Sequence, residues 1–159
     1  MMNFSREFLA RREPSYVGII EDFFKALDED DFETLDDLMD EKDFSYFSWP
    51  LHLNRDGFLN HHRSIKSSFP DWAHNHAVNE EQLLHNSIHV PASIKVTATH
   101  KGEWSCPNTK QRHKPTNRRI ELPEEFVRFI VTKNGTITKY EVIGKSSNSS
   151  HIVNQITEK

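Results

Sequence analysis

The sequence predicts an α+β domain in which helices cover one face of a curved, mainly antiparallel sheet. Two observations carry this. In the first seventy residues apolar side chains recur at three-and-four spacing, and from residue 73 onward the period changes to two. A chain of 159 residues fits one domain with a single apolar core, expected over residues 1–145, with 146–159 as a polar C-terminal tail. A sheet bent around a helix leaves a pocket where its strands splay, which is the natural place for a ligand.

The first helix is read from YVGIIEDFFKALDEDD, where Ile19, Ile20, Phe23, Phe24 and Leu27 lie on one face. Behind the acidic run at Asp28 to Asp31, Phe32, Leu35, Leu38 and Met39 form a second helical set, with Asp30 and Glu33 at the spacing of a capping box. DFSYFSW, from Asp43 to Trp49, is aromatic and alternates poorly, as a short strand buried on both sides would, and Pro50 ends it. Asp56 is placed to cap a third helix whose inner face holds Phe58, His61, His62, Ile65 and Phe69, and Pro70 stops it. A long strand follows, with Ile88, Val90, Ala92, Ile94, Val96 and Ala98 on its buried face. His100, Trp104 and Cys106 continue that face if no bulge intervenes. Residues 107–117 form a polar loop. RRIELPEEFVRFIVTKNGTITKYEVIG reads as two strands around an Asn134-Gly135 turn, which needs positive backbone angles. The tail from Ser146 is linker-like.

Composition excludes several classes of function. With 20 Lys and Arg against 24 Asp and Glu, the net charge of −4 gives no overall basic character for nucleic acid. No run approaches a membrane span, and the start MMNFSREFLARRE lacks the apolar middle of a signal peptide, so a soluble, cytoplasmic protein is expected. Cys106 is the single cysteine, which excludes an intramolecular disulfide and a cysteine-based zinc cluster.

Four ordered segments, FLNHHRSIKSSFPDW, VTATHKGEW, KPTNRRIELP and FVRFIVTKNGTITKYEV, together resemble the SnoaL-like polyketide cyclase family of the NTF2-like cone fold, over residues 16–144. That family has a phenylalanine-proline-aspartate turn, a threonine-histidine-x-glycine-glutamate segment and a proline-threonine-glycine-arginine segment. Here Asn117 stands in place of the last glycine, and a longer insert, SCPNTKQRH, precedes Pro115. The resemblance implies a cone whose pocket takes a small, largely apolar, carbonyl-bearing molecule. It implies aldol cyclisation or isomerisation without metal or cofactor, and a homodimer packed through its sheets. One fold hosts many activities, so a binding or dimerisation module without catalysis, or a hydrolase or dehydratase, are the alternatives.

The family's aspartate lies seven positions after the hairpin glycine, which here is Val142, a residue unable to move a proton. Its histidine falls on or near Glu125 when VTKNG is taken as an insertion. If Glu125 shares a face with Val127, Phe129 and Val131 it points inward and burial suits it to proton transfer. In the other register, with Glu124, Phe126, Arg128 and Ile130 inward, it is a solvated charge. His100 is the second catalytic candidate, as base or donor, or else a histidine satisfied at the sheet's end. Tyr46 and Tyr140 can donate hydrogen bonds to a carbonyl or simply pack. His62, Trp72, His74, Trp104 and Val142 complete the expected ligand contacts. His74 and His76 with His61, His62 or His100 could make a three-histidine metal site, but nothing in their spacing ties them together, and no metal or cofactor is expected. FPDW is read chiefly as a corner, with Asp71 holding backbone donors of the turn.

Overall fold

The computed structural model describes residues 15–144 and 148–157. Helix α1 is Tyr16–Glu29, α2 Phe32–Leu38, α3 Arg55–Ser68 and α4 Asn148–Thr157. The strands are β1 Ser45–Ser48, β2 Leu51–Asn54, β3 Ala77–Val78, β4 Gln82–Leu84, β5 Ser87–Ile94, β6 Thr97–Thr99, β7 Trp104–Ser105, β8 Arg112–His113, β9 Arg119–Glu121, β10 Glu125–Val131 and β11 Ile137–Val142. The large sheet runs β2-β1-β11-β10-β5-β3, with β4 also pairing β5; β6–β9 and β7–β8 are two-stranded ribbons. Among the described strands of the large sheet β1 and β11 pair in parallel and the other pairs are antiparallel, so the architecture is the expected α+β one, with a sheet that is not closed.

Helix α1 forms for the reason its periodicity gives: Ile20, Phe23, Phe24 and Leu27 are all buried. Ser15 Oγ accepts from the Gly18 N–H at 3.0 Å and caps its start. The cap of α2 is Asp31, one residue later than the Asp30 expected. Its carboxylate accepts from the Thr34 N–H at 3.1 Å and from the Thr34 hydroxyl at 2.7 Å. Asp30 is already committed as the left-handed C-cap of α1, with φ 56°. Helix α3 is likewise capped by Asn54, whose Oδ1 accepts from the Gly57 N–H at 2.8 Å, and Asp56 lies inside the first turn instead.

The short aromatic strand is buried on both sides only in part: Phe44 is sealed, Tyr46 and Phe47 are half-buried, and Trp49 is 49% exposed. Trp49 and Pro50 form the two-residue loop of a β1–β2 hairpin that the sequence reading did not include. The β10–β11 loop is longer than a two-residue turn. Thr132 N–H donates to the Thr136 carbonyl at 2.8 Å, and of the Asn134-Gly135 pair only Gly135 takes positive φ, at 89°. The two-residue left-handed turn stands elsewhere, at His85 and Asn86 (φ 50° and 63°) between β4 and β5.

The predicted alternation of the long strand holds, with every second residue from Ile88 to His100 buried. The strand leaves the large sheet after Ile94. There Lys95 N–H donates to the His74 carbonyl and Leu122 N–H to the Val96 carbonyl, both at 2.9 Å, so the chain passes into the β6–β9 ribbon at a bend. The tail is not a linker over 148–157. Ile152 and Ile156 of α4 are buried one turn apart, and the Gln155 amide holds the Glu121 backbone, accepting its N–H at 2.7 Å and donating to its carbonyl at 2.8 Å.

Candidate functional site

The expected ligand contacts fall into three separate groups. The first lies on the inner face of the large sheet, where strand pairing sets Tyr46, Tyr140, Phe129 and Val90 in one row, and Val142, Val127 and Ala92 in the next. Tyr140 is sealed among Phe129, Tyr46, Phe23 and Phe58, with ring centroids 4.5, 4.9, 5.8 and 5.8 Å away. These aromatics fill the space beneath the centre of the sheet. Tyr46, at the edge of this layer, packs on Phe58 at 4.9 Å and His61 at 6.2 Å yet remains half-buried.

Glu125 occurs in the first of the two registers considered, in phase with the buried Val127, Phe129 and Val131, while Phe126 points outward. It is half-buried opposite Ile94, and its Oε1 accepts from Asn148 Nδ2 at 3.0 Å. Burial pushes the Tyr46 phenol up to about 12, with the Glu125 charge adding to the effect and a hydrogen bond with Ser48 opposing it. Tyr140 is raised too, first by burial and then by Tyr46, Glu125 and Asp28. Both phenols are therefore neutral donors at physiological pH. Burial lowers the His61 pKa, which keeps that imidazole neutral as well.

Open volume lies at the strand ends. A groove of about 590 Å³ is bounded by Phe47, Trp49, Glu141, Val142, Ile143 and Gly144. A second of about 430 Å³ lies beside Phe44, Ser45, His52, Leu53 and Asn54. Val142 thus connects the inner row to the rim.

The second group, His62 and His74, secures the C-terminal end of α1. His62 Nε2 donates to the Leu27 carbonyl at 2.9 Å, and Lys66 Nζ to the Asp28 carbonyl at 2.6 Å. These satisfy carbonyls that a helix leaves unpaired. His74 Nδ1 donates to Asp28 Oδ1 at 2.6 Å, and both His74 and His76 pack on Phe24. Burial, then the nearby His74, lowers the His62 pKa to about 4. Among the described residues no group of three metal-ligating side chains converges.

The third group surrounds Phe69. Trp72, His100 and Trp104 lie 5.7, 5.4 and 6.2 Å from its ring. His100 is 0% exposed, its Nδ1 is hydrogen-bonded to Thr116 Oγ1 at 3.0 Å, and burial lowers its pKa. Its backbone pairs with Arg118, whereas Glu125 pairs with Ile94. The two catalytic candidates thus belong to different strand pairings, on either side of the bend after Ile94. Asp71 closes the FPDW corner across to the next element rather than within its own turn, accepting from the Thr99 N–H at 2.6 Å and hydroxyl at 2.7 Å.

Ser48 and His61 were not singled out for the inner site. Ser48 was legible, since it stands two residues after Tyr46 on the same strand face. The Asp28–His74 contact spans 46 residues and has no local signature.

No protein-family model and no curated protein matches the sequence. Solved structures do match in shape. A candidate polyketide cyclase from Xanthomonas campestris superposes with a TM-score of 0.69 at 13% identity, covering 91% of this chain and 98% of that one. A SnoaL-like polyketide cyclase from Agrobacterium tumefaciens superposes with a TM-score of 0.60 at 14% identity, over 90% and 98%. The fold is SnoaL-like. The SnoaL-like cone is also similar to AclR, a candidate hydroxylase from Streptomyces galilaeus, with a TM-score of 0.65 at 14% identity over 93% of this chain and 88% of that one. At these identities the likeness concerns the SnoaL-like fold, and the chemistry must come from the site.

Proposed function

We propose that this protein binds a small, largely apolar, carbonyl-bearing molecule at the inner end of the cone in the cytoplasm, and carries out cofactor-free proton transfer on it, of the cyclase or isomerase kind. The observation that carries this reading is Tyr46, a neutral donor at the partly exposed edge of an otherwise sealed aromatic layer, with Glu125 turned to the same face of the sheet two strands away. A ketone packed on this layer would present its oxygen to the Tyr46 hydroxyl. The Glu125 carboxylate takes a proton from the carbon next to that carbonyl, and Tyr46 stabilises the negative charge that develops on oxygen. In isomerisation the proton returns at another carbon. In cyclisation the new carbanion forms a carbon–carbon bond to a second carbonyl of the same molecule, and the resulting alkoxide takes the proton back from Glu125.

The test is a thermal-shift screen of small apolar ketones, followed by turnover assays of any binder. A binder selective for the folded state raises Tm. Tyr46→Phe is expected to weaken binding, and Glu125→Gln to retain binding and lose turnover. Stabilisation by no ketone, or stabilisation unchanged in both variants, would contradict the reading.

A second reading, binding without catalysis, is favoured by Val142, which is buried on the inner face where the resemblance places an aspartate. It predicts ligand-induced stabilisation without turnover. A hydrolase or dehydratase built on His100 with Glu125 gains no support from a His100 sealed beside Phe69. We also propose a homodimer through the outer face of the sheet, where Phe126 and Ile143 are 61% and 50% exposed and joined by a 2.8 Å backbone hydrogen bond. Light scattering that returns the mass of a single chain would overturn it.

A further inference from the structure

Charge is unevenly placed along this chain. Residues 21–43 carry twelve acids against Lys25 and Lys42, whereas residues 101–119 carry Lys101, Lys110, Arg112, Lys114, Arg118 and Arg119 against Glu103 alone. All six of these cations are exposed, and they are presented by the β7–β8 ribbon, its connecting loops and the start of β9. Arg119 reaches Glu121 only at 3.9 Å, and Lys101 lies near enough to Asp71 to lower its pKa. Lys110, Arg112, Lys114 and Arg118 have no carboxylate partner among the described residues. Elsewhere Arg55 is engaged with Asp36, Lys66 with Asp30, Arg128 and Lys139 with Glu141, and Arg63 over the Phe32 ring, while Lys25, Lys42, Lys95 and Lys133 form no ion pair among the described residues but stand singly along the sequence. Neighbouring like charges repel, so holding four unpaired cations together opposes folding and favours an anionic partner.

We infer that this basic ribbon, residues 101–119, is a docking surface for an acidic protein segment. Two features select a protein segment over other polyanions. The stretch has no phenylalanine or tyrosine, its one tryptophan, Trp104, is buried under Phe69, and the His113 ring packs on Trp104, so no phenylalanine, tyrosine or tryptophan face is free to stack on a base. No large apolar side chain of the ribbon is exposed for insertion into a lipid surface. A short acidic segment meets the cations and needs neither. This inference is independent of the ligand reading above, because none of these residues belongs to the inner site.

The probe is a 20-residue poly-L-glutamate peptide, titrated at 150 mM NaCl into the full chain and followed by amide chemical shifts. Shifts are expected across residues 101–119, with affinity falling steeply as salt rises. The triple reversal Arg112→Glu, Lys114→Glu, Arg118→Glu should weaken binding at least tenfold, while Lys25→Glu should leave it unchanged. If the reversal disturbs folding by circular dichroism, the neutral triple variant to Gln is used instead, with a smaller but clear loss expected. No binding at this salt, shifts located elsewhere, or unchanged affinity in the variant would overturn the inference. So would tighter binding of a 20-nucleotide single-stranded DNA or of phosphatidylserine vesicles to the same residues.

Discussion

Tyr46 and His100 are both titratable rings packed in aromatic surroundings, and the structure treats them differently. His100 is sealed under Phe69, with burial holding it neutral and Thr116 on its Nδ1. Tyr46 keeps part of its surface open, and burial raises its phenol pKa, with the Glu125 charge adding to the effect. A perturbed pKa marks both, yet only the second is partly exposed. Access together with a charged neighbour separates a candidate site from a structural polar group, and burial alone does not.

That contrast can be broken first at the Phe69 cluster. Phe69→Ala removes the ring on which Trp72, His100 and Trp104 converge and should cost about 3–5 kcal/mol, read by denaturant unfolding. Because the cluster is remote from Tyr46, ketone-induced stabilisation should survive in whatever fraction stays folded. Loss of ligand binding in proportion to nothing but the Phe69 change would join the two regions that the geometry separates.

Acid offers a second test, because it acts on the group that joins α1 to α3. The folded pKa of His62, about 4, lies below the ordinary histidine value, so the folded state binds fewer protons. Stability is complete above about pH 6.5 and falls as pH drops toward 4, by on the order of 2 kcal/mol between pH 7 and pH 5. His61 and His100, also lowered by burial, act in the same direction. The His62→Gln variant should lose part of this slope, and an identical slope would show that His62 does not titrate as described. Smaller still is Gln155→Ala, which removes two hydrogen bonds to the β9 backbone and should cost about 1 kcal/mol. It should loosen α4, and with it the Asn148 contact to Glu125, so a modest change in ligand binding is expected where His100→Phe gives none.

Much of this arrangement was legible from periodicity. The buried faces of α1 and of the long strand follow the apolar spacing. In β10 the spacing left two registers open, because Phe126 and Ile130 alternate with Val127, Phe129 and Val131, and the structure takes the one that turns Glu125 inward. What periodicity could not supply was partnership over distance. Asp28 meets His74, and Gln155 meets Glu121, only because tertiary packing brings them together, and no local pattern encodes either pair. Short elements were obscure for a different reason. LHLN of β2 is largely exposed, and α4 buries only Ile152 and Ile156, too few apolar residues to stand out against the polar SSNSS before it. The misplaced caps of α2 and α3 reflect runs of adjacent capping residues, where spacing alone does not choose between Asp30 and Asp31 or between Asn54 and Asp56.

The most direct measurement is an amide chemical-shift map on titration with 2-acetonaphthone, a small apolar aromatic ketone. Binding at the inner end of the cone predicts perturbations at Tyr46, Ser48, Glu125 and Val142 that shrink in Tyr46→Phe. Perturbations confined to Phe69, His100 and Trp104, or a map unchanged at saturation, would contradict it.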